Sequence, residues 1–327
     1  MKVLVTGASG MLGGAVATAL RDRGHAVSAF QRRPADLPGI EDRTGSLTEP
    51  DSIARAVEGM DAVVHLAAKV SISGPESEYR AINIDGTRHL LDAMRAQGGG
   101  RLVNISSPSV AHLGSSIVGL DATPPDPRRA RGPYPRTKAA AEILAMEADG
   151  RDGMFVTTVR PHVVWGPGDT QLVGRIVDRC AKGRMPLLDD GLALIDTTYV
   201  DNAADAIVAA LDRIEDVHGE SFVVTNGEPR TVRDFIGGLC DAAGVPRPTL
   251  RIPGSVGRLA GRVIEKVWDL RPGYDEPPMT EFLAEQISTA HWFDQRRTHE
   301  RLQWTPRVSI DEGFARLEEH FAAHPVA

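Results

Sequence analysis

Apolar and polar positions alternate along this chain in two registers that succeed one another from the first residues. Val3, Leu4, Val5 and Thr6 have buried-strand character and run into glycines at Gly7, Gly10 and Gly13. Leu12, Val16, Ala19 and Leu20 then share one face at helical spacing. Gly24 and His25 mark a stop, and Ala26 to Phe30 reads as a second strand. Thr48 caps a helix with Pro50 in its first turn. Asp61 to Ala68 is a third strand, apolar on both faces as the interior of a parallel sheet requires. The next helix holds Asn83 to Thr87 and runs through Leu90, Leu91 and Met94 to the glycines 98–100. Its internal Gly86 costs about 1 kcal/mol against alanine, so a packing or ligand reason is expected. Arg101 to Ser107 is a fourth strand and Phe155 to Arg160 a further one. This alternation predicts an α/β fold built on a doubly wound parallel sheet.

The regularity lapses twice. Between Pro108 and Pro133 the pattern dissolves into Gly, Ser, Pro and Arg, too long for an ordinary connection; a functional or disordered loop is expected. Beyond Gly168 the elements are sparser. Helices are expected over Val173–Cys180 and Asp201–Leu211, a short strand over Phe222–Thr225, and a helix capped by Thr231. Val256, Leu259, Ala260, Val263, Ile264 and Val267 form an apolar stripe expected to cover a pocket or core rather than dock on a membrane. Trp304 to Ile310 reads as a final strand before an amphipathic helix. The expected division is a cofactor-binding part over 1–168, completed by parts of 195–227, and a smaller mixed part over 169–327 that mainly binds substrate and interleaves with the first.

Composition narrows the function without choosing it. The 327 residues are 42% hydrophobic, no later apolar run approaches a membrane span, and the formal charge of -7 disfavours nucleic acid as main partner. The uncharged run Val3 to Leu20 superficially resembles a secretory signal, but its glycine density argues against an apolar helical core. Cys180 and Cys240 carry no metal-ligand spacing, so no metal site is expected and a reduced, cytoplasmic protein is the simplest account.

The chemistry begins at the glycines. A strand that turns into a helix through spaced glycines lets the backbone approach a pyrophosphate, with the helix N-terminus facing the charge. About 20 positions on, where an acid would hold the ribose of NAD, stand Gln31, Arg32 and Arg33, which suit the 2′-phosphate of NADP(H) better than NAD(H). Tyr134 and Lys138 lie one helical turn apart before an alanine-rich run. A lysine ammonium there is expected to lower the phenol's pKa and fit it for proton exchange with a carbonyl or alcohol oxygen.

Taken together, Thr6-Gly-Ala-Ser-Gly-Met-Leu-Gly13, the serine pair at the end of the fourth strand and Tyr134-x-x-x-Lys138 resemble the extended short-chain dehydrogenase/reductase superfamily over nearly the whole chain. Asn83-x-x-Gly-Thr87 and Arg160-Pro161…Gly166-Pro167 are weaker matches. Within it the chain resembles the 3β-hydroxysteroid dehydrogenase-like branch and the bacterial 2-alkyl-3-oxoalkanoate reductases of long-chain olefin biosynthesis. That similarity is carried by Ser107–Val110, Val164–Asp169, Asp196–Asn202, Thr225–Pro229 and Glu276–Met279.

The resemblance implies a Rossmann fold and individual roles. Tyr134 is the implied acid/base. Lys138 holds the nicotinamide ribose, and Ser107, in preference to Ser106, binds the reacting oxygen. Cofactor contacts are implied at Gly7, Ser9, Gly10, Met11, Leu12 and Gly13, at Gln31, Arg32 and Arg33, at Ser46 and Leu47, at Leu66, Ala67 and Ala68, and at Pro161, His162 and Val163. Asn83 is either a structural pin or a member of a proton relay. Pro135, directly after the tyrosine, departs from the pattern and is tolerable only in a first helical turn. The implied reaction interconverts a secondary alcohol and a ketone on a lipid-like substrate, in a protein that commonly dimerises. A nucleotide-sugar epimerase or dehydratase and a non-catalytic dinucleotide sensor are the alternatives.

Overall fold

The computed structural model describes residues 1–70, 74–111, 114–269 and 280–325. The Glu276–Met279 segment lies outside them. In chain order the strands are β1 (Lys2–Thr6), β2 (Ala26–Gln31), β3 (Glu41–Thr44), β4 (Ala62–His65), β5 (Gly100–Ile105), β6 (Ile117–Leu120), β7 (Met154–Pro161) and β8 (Val164–Trp165). There follow β9 (Leu187–Leu188), β10 (Leu194–Ile195), β11 (Thr198–Tyr199), β12 (Ser221–Val224), β13 (Arg230–Thr231), β14 (Arg251–Ile252) and β15 (His291–Phe293).

Seven of these make one sheet in the order β12-β7-β5-β4-β1-β2-β3, every neighbour parallel. The chain leaves β1 in one direction for β2 and β3 and in the other for β4, β5, β7 and β12. The reversal between β1 and β4 opens a crevice at the carboxyl ends of those strands, where α/β sheets bind ligands. The fold class is the doubly wound one expected, with a smaller mixed sheet, β13-β10-β15-β6, beside it.

Four expectations need correction. β3 is missing from the sequence reading because Glu41-Asp-Arg-Thr44 carries no apolar pattern; as an edge strand it has little to bury. The segment 108–133 is not wholly irregular: it holds a 3-10 turn at Pro108–Ala111 and then β6, which pairs with β15. Thr48 does not cap the following helix. That helix is Pro50–Val57 with Glu49 at the N-cap, and the Thr48 hydroxyl lies 2.8 Å from Ser46 Oγ. Trp304 to Ile310 forms no strand; it joins the helices Arg296–Leu302 and Ile310–Ala323.

The helix Gly254–Asp269 differs in a more instructive way. Its apolar stripe faces outward, with Val256, Leu259, Val263 and Val267 exposed. The packed face is made of glycines instead. A Cβ on Gly257 would meet Leu188 at 2.7 Å, and one on Gly261 would meet the Thr280 backbone at 2.6 Å. Close backbone approach, not side-chain burial, docks this helix.

Two buried polar clusters hold the layers together. The Arg160 guanidinium on β7 grips the Glu142 carboxylate of the helix Pro133–Met146 through Nε at 3.0 Å and Nη2 at 2.6 Å. Its Nη1 donates to the Thr123 carbonyl at 2.7 Å. Both residues are 1% exposed. Asp196, between β10 and β11, is fully buried; its carboxylate accepts from Thr225 Oγ1 at 2.7 Å and from the Glu228 N–H at 3.3 Å. Burial raises its pKa from 3.8 to about 6, against those hydrogen bonds.

Removing one partner of a buried pair strands the other charge, so Glu142→Ala should lower unfolding free energy by about 3–5 kcal/mol in urea titrations. Asp196 binds its proton more tightly folded than unfolded. Its contribution to stability is therefore full at low pH and declines as pH rises from about 4 to about 6. The decline should approach about 3 kcal/mol, at 1.36 kcal/mol per pKa unit. The same titration series on Asp196→Asn should lack this slope; an identical slope would contradict the assignment.

Candidate active site

The glycine turn lies at the carboxyl end of β1. Gly7 has φ of 78°, a conformation that favours glycine, and its N–H donates to Phe30 O at 2.9 Å. A Cβ on Gly13 would meet the Gly7 carbonyl oxygen at 2.2 Å, and one on Gly7 would meet the Ala67 backbone at 3.0 Å. On Gly10 it would meet only Gly7 O, at 3.5 Å, so this side of the turn stays open. Gly10 is the N-cap of the helix Met11–Asp22 and supplies no side-chain acceptor. The first-turn N–H groups beside exposed Ser9 and Gly10 are therefore available to an anion, and the cradle fits a dinucleotide pyrophosphate. Met11 and Leu12 are half-buried and pack against the core.

At the end of β2 the Gln31 side chain is buried, and its Nε2 donates to Asp42 Oδ1 at 2.6 Å. The same carboxylate accepts the N–H groups of Ala35 at 2.9 Å and Asp36 at 3.2 Å. Asp42 on β3 is thus engaged in holding the 32–36 loop. Gln31 Oε1 has no hydrogen-bond partner among the described residues, a buried acceptor at the end of β2. Arg32 and Arg33 are exposed beside it. Ser46 and Leu47 follow β3. Leu47 is buried against Gly86, whose added Cβ would meet Leu47 Cβ at 2.8 Å, so packing explains the helical glycine.

The end of β4 is held by a neutral relay beneath the crevice. Ala67 N–H donates to Thr6 Oγ1 at 3.0 Å, and Thr6 Oγ1 lies 2.8 Å from His65 Nδ1. On the far side His65 Nε2 lies 3.1 Å from Thr87 Oγ1, which donates to Asn83 O at 2.7 Å. Because the Thr87 hydroxyl gives its proton to a carbonyl, it must accept from Nε2–H; Nδ1 then accepts from Thr6. Burial, helped by the Lys138 charge, drops the His65 pKa to about 3 and keeps the ring neutral. Leu66, Ala67 and Ala68 are half-buried along the same rim.

Asn83 lies in a π-helical stretch, Arg80–Asp85. Its Oδ1 accepts from Lys69 N–H at 2.7 Å, and its Nδ2 reaches Lys69 O at 3.2 Å and Thr137 Oγ1 at 3.0 Å. Both ends of the amide are engaged within the protein, which favours the pin over the relay.

Thr137 belongs to the helix Pro133–Met146, where Pro135 falls in the first turn and loses no helical hydrogen bond. Lys138 is buried, and its Nζ donates to Ile105 O at 2.5 Å. Burial lowers its pKa to about 8, with Glu142 opposing the change. Burial raises the Tyr134 pKa, and the neighbouring Ser107 hydroxyl works against that rise. The expectation that Lys138 depresses the phenol is therefore corrected for this state: burial raises the Tyr134 pKa, and the Lys138 ammonium is turned to the Ile105 carbonyl.

Ser107, Ser109, Tyr134, His162 and Val163 line a cavity of ≈ 160 Å³, with Pro108, Ile117, Gln286, His291 and Phe293 completing its wall. Ser106 points elsewhere, its Oγ buried without a partner among the described residues. Pro161 ends β7 and is buried. His162 donates from Nδ1 to Asp196 O at 2.6 Å and packs edge-on against Phe293 at 5.1 Å. Val163 has φ of 45°, a strained conformation for a β-branched residue, and its carbonyl accepts from Thr198 N–H at 3.2 Å. Ser109, Gln286, His291 and Phe293 went unnoticed in the sequence: the pairing of β6 with β15 brings His291 and Phe293 to the tyrosine from far along the chain, and Gln286 comes from the helix Glu281–Ser288 before them.

The chain is similar to known proteins along its whole length. The chain is 38% identical to a 2-alkyl-3-oxoalkanoate reductase of Stenotrophomonas maltophilia (strain K279a), over 99% of this chain and 100% of that protein. It is 32% identical to a 3 beta-hydroxysteroid dehydrogenase/Delta 5-->4-isomerase of Mycobacterium tuberculosis (strain CDC 1551 / Oshkosh), over 98% and 90%. The solved structure of MoeE5 in complex with UDP-glucose and NAD superposes with a TM-score of 0.76 at 25% identity, covering 99% of both chains. Residues 3–225 match the NAD dependent epimerase/dehydratase family. The chain belongs to that family, among the extended short-chain dehydrogenases/reductases, and is an NAD-dependent oxidoreductase.

Proposed function

We propose that the protein interconverts a secondary alcohol and a ketone on a lipid-like substrate of the 2-alkyl-3-oxoalkanoate or 3β-hydroxysteroid type, with NADP(H) preferred over NAD(H). One observation carries the reading: Ser107 and Tyr134 line one cavity, and Lys138 lies buried one helical turn along from Tyr134. The names of the relatives supply the substrate class. A bound nicotinamide cofactor supplies or takes the hydride. Ser107 and Tyr134 donate hydrogen bonds to the substrate oxygen as it gains negative charge, and Tyr134 delivers the proton. Lys138, with a pKa near 8, is mostly cationic at neutral pH and favours the phenolate left behind once it turns from Ile105 O.

The glycine turn takes the pyrophosphate, and Arg32 with Arg33 takes the 2′-phosphate. In this reading residues 1–168, completed by parts of 195–227, form the cofactor part; β12 of the main sheet supports the completion. Residues 169–327 mainly bind substrate, as Gln286, His291 and Phe293 in the cavity wall suggest. The free, buried thiols of Cys180 and Cys240 are in keeping with a reducing, cytoplasmic compartment.

Tyr134→Phe should lower kcat by about 10²–10⁴-fold on the best of a panel containing a 2-alkyl-3-oxoacid, a steroid ketone and a UDP-sugar, while cofactor affinity by fluorescence titration is kept. Turnover of the UDP-sugar alone would replace this reading with an epimerase. Arg32→Ala/Arg33→Ala should raise KM for NADPH about tenfold or more and leave KM for NADH within twofold; equal effects on both would overturn the NADP(H) preference.

A further inference from the structure

Ser109 lies one short turn beyond Ser107, inside the 3-10 segment Pro108–Ala111. Its backbone N–H donates to Ser107 Oγ at 3.2 Å, and its own hydroxyl donates to the same atom at 2.9 Å. The turn that presents both donors is well fixed. Val110 N–H closes it onto Ser107 O at 3.2 Å, the Val110 side chain is wholly buried, and Val110 O accepts from Asp126 N–H at 2.9 Å.

A serine hydroxyl has one proton and two acceptor lone pairs. On Ser107 both lone pairs are occupied by Ser109, so only the proton is left to offer into the cavity that Tyr134 also lines. We propose that Ser109 is a positioning residue of this active site: by filling the acceptor side of Ser107 Oγ, it forces Ser107 to act as a donor, toward the Tyr134 oxygen in the free protein and toward the substrate oxygen once that is bound. Without the second donor the Ser107 hydroxyl would be free to rotate and accept the phenol's proton, holding it back from the substrate. The consequence for proton transfer rests on the alcohol–ketone reading; the direction of the hydrogen bond does not.

Two measurements decide the matter. The chain has four tyrosines, so 13Cζ-tyrosine labelling gives few resonances, and Tyr134→Phe identifies that of Tyr134. Ser109→Ala should shift this resonance in the same direction as Ser107→Ala, and Ser109→Thr, which keeps the hydroxyl, should return it toward the wild-type position. A Tyr134 resonance unmoved in Ser109→Ala overturns the proposal, whatever the enzyme turns over. In kinetics, Ser109→Ala should lower kcat about tenfold, the order expected for one mis-aimed hydrogen bond, with KM for the ketone within twofold. Because donation from Ser107 lowers the Tyr134 pKa, the limb of the pH profile that belongs to Tyr134 should move to higher pH in Ser109→Ala and return in Ser109→Thr. An unchanged kcat and an unmoved limb would also overturn it. Wild-type protein inactive on every ketone and alcohol would refute the alcohol–ketone reading instead, while the resonance shift still decides for or against Ser109.

Discussion

The contact on which the crevice depends is the approach of Gly13 to the carbonyl of Gly7, too close for any side chain. It brings the helix Met11–Asp22 onto the end of β1 and leaves the first-turn N–H groups facing the gap between β1 and β4. Gly7 in turn presses on Ala67, whose N–H begins a continuous run of hydrogen bonds. The run passes from Thr6 through His65 and Thr87 to the Asn83 carbonyl, and the Asn83 amide continues it to Thr137 on the helix Pro133–Met146. The phosphate cradle and the Tyr134–Lys138 helix are thus registered against each other through neutral groups in a dry interior. Such a connection costs no charge burial, and every polar group named in it has a partner.

The cavity beside Tyr134 is assembled differently. Ser107 and Ser109 follow β5, and His162 and Val163 follow β7, so the main sheet supplies one wall through its strand ends. The other wall comes from Ile117 on β6 and from His291 and Phe293 on β15. Asp196 joins the two: its backbone N–H bonds His291 O, its carbonyl holds His162, and its carboxylate holds Thr225 at the end of β12. A strained Val163 beside this junction is tolerated because its neighbours fix it on both sides.

Local patterns were legible in the sequence and long-range ones were not. Glycine spacing and the four-residue step from Tyr134 to Lys138 are short-range geometry, and both predict where groups lie relative to their own element. β3 escaped notice because an edge strand of Glu, Asp, Arg and Thr has no buried face to advertise. For the helix Gly254–Asp269, periodicity showed which residues share a face but not which face is packed; the spacing of Gly254, Gly257 and Gly261 was the informative signal. The sign of the Tyr134 shift was missed because desolvation arises from the whole surrounding fold, whereas the lysine was visible one turn away. His291 and Phe293 are more than 150 positions from Tyr134, and no local rule connects them.

The π-helical stretch Arg80–Asp85 has a further bearing on how this sequence can vary. A π turn contains one residue more than its α counterpart, and one residue corresponds to about 100° of rotation about the helix axis. Loss of a single residue here would give a more regular helix but would turn Asn83 out of alignment with Thr87 and the segment behind it. The length of this stretch is therefore under tighter constraint than most of its letters. Exposed Arg80 is open to exchange, whereas insertion or deletion of even one residue would sever the tie between Lys69 and Thr137.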